Sequence, residues 1–240
     1  MPVALITGAS RGLGLALAGG LADRGWSLVI DARSPDPLAD AARELTARTG
    51  SAGTVTSLAG SVTDPTHRAE LVDAATRLGG LDLLVNNAGV LGPSPLPALE
   101  ELHLAAYRDI LEVGTVAPLA LTQLALPHLK ESRGAVVNVT SDAAVEGYAG
   151  WGGYGSAKAA LEQWSHILAA ELSEAQDDVR LWWVDPGDLR TQMHQDAFPG
   201  EDISDRPLPD TVVPAFVRLV TERPPSGRFR AANLLGGVVA

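Results

Sequence analysis

Val3-Ala4-Leu5-Ile6-Thr7-Gly8-Ala9-Ser10-Arg11-Gly12-Leu13-Gly14 decides the fold of this chain. A short apolar run meets three glycines at intervals of four and two, and Leu13, Leu17 and Leu21 then recur at helical spacing. The order is strand, tight turn, helix. Such a turn lets main-chain N–H groups approach a phosphate at a helix N-terminus, where the macrodipole favours an anion. Gly8-Ala9-Ser10-Arg11-Gly12 also fits the nucleophile elbow of an α/β-hydrolase. That elbow needs an oxyanion donor from an earlier loop, and seven residues precede Gly8, so the phosphate reading is preferred.

The same alternation continues outward. Strands are expected at 27–31, 55–58, 81–85, 135–140 and 179–184, with helices at 38–48, 65–78, from the 92–97 loop to about 111, 115–130, 154–172 and 212–221. A last strand is expected at 229–235. The 81–85 strand is almost wholly apolar, as in a parallel sheet covered on both faces. Regular alternation predicts a single α/β domain over 1–240, a Rossmann-type doubly wound parallel sheet flanked by helices, with its ligand at the strand ends. Residues 188–209 break the pattern with mixed polar and proline-containing sequence and are expected to form a substrate-binding segment. Trp151, Met193, His194 and Phe198 would line a partly apolar pocket, with His194 expected as a surface loop residue rather than a base. Of the adjacent Trp182 and Trp183, at least one should be core.

Composition removes several alternatives. Among 240 residues 46% are apolar and none is cysteine, which excludes a disulfide framework, a thiol nucleophile and a zinc-thiolate site. The five histidines are scattered, so no metal is expected. A net charge of −11 without a Lys/Arg run leaves no footprint for nucleic acid and disfavours an anionic membrane. The first residues carry no basic and then apolar leader, and no run of about 18 apolar residues follows. A soluble cytoplasmic protein is expected.

Chemistry is concentrated at Tyr154-Gly155-Ser156-Ala157-Lys158. Positions i and i+4 share a helix face, so phenol and ammonium lean into one site. A nearby cation favours the phenolate of a group that otherwise titrates near pH ~10.

Together with this pair, Thr7-Gly8-x-x-x-Gly12-x-Gly14, Asn86-Asn87-Ala88-Gly89, Ser141, and Pro186-Gly187 with Thr191 make the chain resemble the short-chain dehydrogenase/reductase family over essentially its whole length. The resemblance implies hydride transfer between a nicotinamide cofactor and a carbonyl or secondary alcohol. Tyr154 would be the general acid/base, Ser141 would hold the substrate oxygen, and Lys158 would hold the nicotinamide ribose and lower the Tyr154 pKa. It further implies that Gly8, Ser10, Arg11, Gly12, Leu13 and Gly14 bind the cofactor, with Arg33, Ser61, Val62, Asn87, Ala88, Gly89, Tyr154, Lys158, Pro186, Gly187, Leu189 and Thr191. In the family register Ala32 takes the place of the acid that would bind the ribose of NAD, and Arg11 and Arg33 suit the 2′-phosphate of NADP(H). Asp31 keeps NAD(H) open should the register slip by one. Two positions depart from the family: Gly114 replaces an Asn that supports the lysine, and Ser61 replaces an Asp near the adenine. The first leaves open a cofactor-binding regulatory or scaffold protein. A homotetramer or homodimer built on the helices at 97–130 and 154–172 is also implied.

Overall fold

Short apolar segments buried on both faces need helices above and below, and the computed structural model, which describes residues 1–236, has that arrangement. The strands are β1 (Val3–Ile6), β2 (Ser27–Ala32), β3 (Val55–Ala59), β4 (Leu83–Asn86), β5 (Ala135–Val139), β6 (Arg180–Asp185) and β7 (Gly227–Arg230). They form one parallel sheet in the order β3-β2-β1-β4-β5-β6-β7. Strand order reverses between β1 and β4, and the crevice beyond their carboxyl ends is where such a sheet binds ligands.

On one face Ile6, Leu28, Ile30, Val137, Trp182 and Val184 pack under α1 (Gly12–Ala22), α2 (Pro35–Thr49), α8 (Val213–Glu222) and α9 (Ala231–Leu235). On the other, Leu5, Val29, Leu84, Val136 and Leu181 meet α3 (Pro65–Arg77), α5 (Ala117–Ser132) and α6 (Gly152–Glu174). Each fully buried large side chain contributes roughly 1.5–3 kcal/mol. Trp182 and Trp183 are both buried, because a central parallel strand has no solvent face.

Three expectations are corrected. The helix expected from 97 to about 111 starts later, at α4 (Leu104–Leu111), and does not stop at its expected end. It passes through a π-turn at Glu112–Val116 directly into α5, giving one 29-residue helix. Pro118 supplies the cause: it has no N–H to offer the Gly114 carbonyl four residues back and would clash with it, so the turn widens there. This helix is also long and apolar enough, by length and composition, to cross a membrane, contrary to the expectation of no such stretch. Ile110, Leu121, Ala125 and Leu129 are nonetheless buried in the fold. Finally, the strand expected at 229–235 is β7 at Gly227–Arg230 followed by α9, since Ala231-Ala232-Asn233-Leu234-Leu235 favours a helix once pairing with β6 ends.

Candidate functional site

Every predicted cofactor and catalytic residue except Gly14 lines one cleft of about 990 Å3 at the carboxyl ends of the strands. Gly14 serves the cleft from beneath. A Cβ there would stand 2.5 Å from the Gly8 carbonyl and from Asn87 Nδ2, so only glycine lets α1 close onto the turn. The Asn87 amide donates to the carbonyls of Thr7 and Gly8 at 2.9 and 3.1 Å, while Thr7 Oγ1 accepts from the N–H groups of Asn87 and Ala88. The turn after β1 and the end of β4 are therefore one rigid unit.

Asp31 lines the cleft from within the fold. It is 1% exposed; Oδ1 accepts the Gly8 N–H at 2.8 Å and Oδ2 lies 3.1 Å from His67 Nε2. Both oxygens have partners inside the protein. Arg11 and Arg33 are exposed on the cleft wall, and Ala32 is packed into the core. Ser61 and Thr63 share a 2.8 Å hydroxyl contact at the end of β3. The cleft thus offers a glycine turn at a helix N-terminus and two exposed guanidinium groups, a donor set that fits the phosphates of a dinucleotide.

At the other end, α6 carries Tyr154 and Lys158 on one face, with Lys158 Nζ 5.5 Å from the Tyr154 ring centroid. Gly155 allows the helix to press on the turn after Ser141, because a Cβ there would lie 2.6 Å from the Ala143 carbonyl. Burial and neighbouring carboxylates outweigh the Lys158 cation at the phenol. Lys158 is 4% exposed and donates to the Val139 carbonyl at 2.7 Å; burial pushes its pKa down to about 8, opposed by Glu162. Burial, together with the negative charges of Asp185 and Asp142, holds the Tyr154 phenol above its usual range and so keeps it protonated.

Ser141 donates to Asp142 Oδ1 at 2.9 Å and accepts from the Ala143 N–H at 3.2 Å, so it caps a short 3-10 turn (Asp142–Ala144) as well as facing the cleft. Tyr148 OH lies within 3.1 Å of Asp142 Oδ2 and 2.9 Å of Glu146 Oε2, and these carboxylates push its phenol up to about 12. Gly114 sits buried in the π-turn, and a Cβ would come within 3.1 Å of the Ala157 Cβ. The loss of the side chain therefore goes with a close approach of that turn to α6, one residue from Lys158.

The 188–209 segment contains a helix, α7 (Gln192–Ala197), capped by Thr191 Oγ1. His194 is 9% exposed rather than a surface residue, because its ring packs 4.9 Å from Phe198. Trp151 stands edge-on to Tyr154 at 5.7 Å and tilted against Phe198 at 5.9 Å. Trp151, Met193 and His194 line the cleft, with Phe198 behind them. The carboxylates of Asp142, Asp185 and Glu162 were not foreseen, although two neighbour predicted residues and Glu162 is the next i+4 position after Lys158. Among the described residues no three His, Asp or Glu side chains gather as a metal site.

A family model described as short chain dehydrogenase matches residues 2–202. An L-fucose dehydrogenase of Oryctolagus cuniculus is 33% identical over 197 residues, 81% of this chain and 65% of that protein, so the chain spans just under two thirds of that relative's length. A short chain dehydrogenase of Salmonella enterica serovar Typhi superposes with a TM-score of 0.87 at 28% identity, covering 96% of this chain and 95% of its own. An alcohol dehydrogenase of Thermococcus sibiricus complexed with 5-hydroxy-NADP gives 0.81 at 31% identity, covering 96% and 94%.

Proposed function

We propose, on the premise that this chain belongs to the short-chain dehydrogenase family, that it transfers hydride between NADP(H) and a carbonyl or secondary alcohol. The observation that carries this is the meeting, in one cleft, of the Ser141, Tyr154 and Lys158 side chains with a glycine turn flanked by two exposed arginines. The nicotinamide, when bound, would supply or accept the hydride. Tyr154, kept protonated, gives its phenolic proton to the carbonyl oxygen during reduction and takes it back during oxidation. Ser141 holds that oxygen by its hydroxyl, and Lys158 lends positive charge beside the phenol. Trp151, Met193 and His194 line the same cleft.

NADP(H) is favoured over NAD(H) because Arg11 and Arg33 are available to a 2′-phosphate while both Asp31 oxygens are occupied. We also infer a homodimer or homotetramer. Val116, Leu124 and Ile167 are exposed on the α5/α6 face beside an apolar groove of about 220 Å3. The test is a panel of ketones and secondary alcohols followed at the nicotinamide absorbance with both cofactors, alongside NADPH binding by fluorescence. Turnover with NADPH supports the enzyme. Binding without turnover of any substrate would favour the regulatory reading that Gly114 leaves open.

A further inference from the structure

Beneath the reacting end of the cleft, α6 and β7 exchange charges that hydride transfer as described does not use. Tyr154, Lys158 and Glu162 stand at successive i, i+4 positions, so the face bearing phenol and ammonium continues one turn into a carboxylate. Arg228 Nε donates to Glu162 Oε1 and Oε2 at 3.0 and 3.1 Å, and Arg228 Nη2 donates to the Ser141 carbonyl at 3.2 Å. Thr140 Oγ1 donates to Glu162 Oε1 at 2.7 Å. Arg228 Nη2 and Arg230 Nε lie 3.8 and 3.7 Å from Asp185 Oδ2. One guanidinium thus joins α6, the Ser141 carbonyl just beyond β5, and Asp185 at the end of β6. The Arg228, Glu162 and Asp185 side chains are 23%, 12% and 7% exposed, so solvent screens them weakly.

We infer that Arg228 and Glu162 are a positioning pair for the proposed hydride transfer: Arg228 fixes Ser141 and offsets the Asp185 charge near Tyr154, while Glu162 holds Thr140 and supports the Lys158 ammonium. Arg228 suits this because its planar fork serves two acceptors at fixed angles, which an ammonium cannot do. The charged groups around the Tyr154–Lys158 face are Asp142 in the turn after β5, Asp185 at the end of β6, Glu162 on α6 itself, and Arg228 and Arg230 on β7. Arg230 is shared with Glu146, and Asp109 and Glu112 of the long helix line the same cleft. Removing Arg228 leaves Asp185 less compensated and holds the phenol protonated to higher pH. Removing the Glu162 charge withdraws the one group that holds the Lys158 ammonium up.

The test compares the full-length wild type with Arg228→Met, Arg228→Lys and Glu162→Gln. It reads kcat, KM and pH profiles in both directions, with NADPH affinity by fluorescence and melting temperature alongside. Arg228→Met should lower kcat by about tenfold to a hundredfold, the scale of a misplaced reacting group, with NADPH affinity within about threefold. Its alcohol-oxidation profile should move to higher pH. Glu162→Gln should move the limb governed by Lys158 to lower pH, opposite in direction. Arg228→Lys should restore the profile through its charge but not kcat. A lowered melting temperature with unchanged kcat and an unmoved profile in Arg228→Met would reduce the pair to a structural tie. Should that variant not fold, the shifts in Arg228→Lys and Glu162→Gln decide. A wild type that turns over no carbonyl or alcohol would instead overturn the hydride-transfer reading itself, and this one with it.

Discussion

The turn between β1 and α1 offers main-chain N–H groups, whereas the Tyr154 end of the same cleft offers side chains held by charges from two strands, β6 and β7, and from α6. A backbone site is specified mostly where it stands: glycines at 8, 12 and 14 permit its shape, which Asn87 and Asp31 then hold. A side-chain site is specified by whatever reaches it, here an arginine 66 residues beyond Glu162 and 87 beyond Ser141. The two ends should therefore fail differently. Tyr154→Phe should cut turnover by about 10²–10⁴, the range for a general acid/base, while leaving NADPH affinity unchanged. Parallel loss of affinity would show that the two ends are not separable.

Gly14→Val strikes the opposite end. Its Cβ would collide with the Gly8 carbonyl and Asn87, and overpacking of about 1–3 kcal/mol should appear as a tenfold to hundredfold loss of NADPH affinity and a lower melting temperature. Unaltered binding measured by titration would mean that the turn is softer than its contacts imply.

The same division explains what could be read from the sequence. Glycine spacing, apolar strands and the i, i+4 pair announce themselves locally, and the doubly wound parallel sheet with a cleft at its strand ends follows from them. Arg228 could not be read, because β7 was placed two residues late and nothing near Phe229 signals a partner on α6. The π-turn is not legible locally, because a proline near a helix start is ordinary, whereas Pro118 lies within a continuous helix and widens the turn before it. The direction of the Tyr154 shift was misjudged for a related reason: the Lys158 cation was visible at four residues, but burial and Asp185 are properties of the folded site.

Lys158 gives a pH test in which activity and stability move apart. Its folded value of about 8 lies below the usual 10.5, so between those values the unfolded chain binds more protons than the native one. Stability should rise with pH through that window, and the full cost of the buried ammonium is present below it. Turnover should instead decline above about pH 8 as the ammonium is lost. Thermal melts and pH–rate profiles on the same samples check both signs, and a common sign would remove Lys158 from the reaction.

The smallest effect is the sharpest for the dinucleotide end. An acid at the end of β2 invites the reading that it chooses the ribose, yet Asp31 faces inward to the Gly8 N–H and His67. Asp31→Asn keeps an oxygen for Gly8 and loses only charge, so it should weaken NADPH and NADH equally, by less than about tenfold for a charge-assisted hydrogen bond partly retained. Arg33→Ser, on the exposed wall, should by contrast change the ratio of the two affinities. The diagnostic quantity is that ratio. If Asp31→Asn shifts it toward NADPH, the carboxylate reaches the ribose after all; if it stays fixed while Arg33→Ser lowers it, the cofactor is chosen by side chains on the wall and only held by the turn.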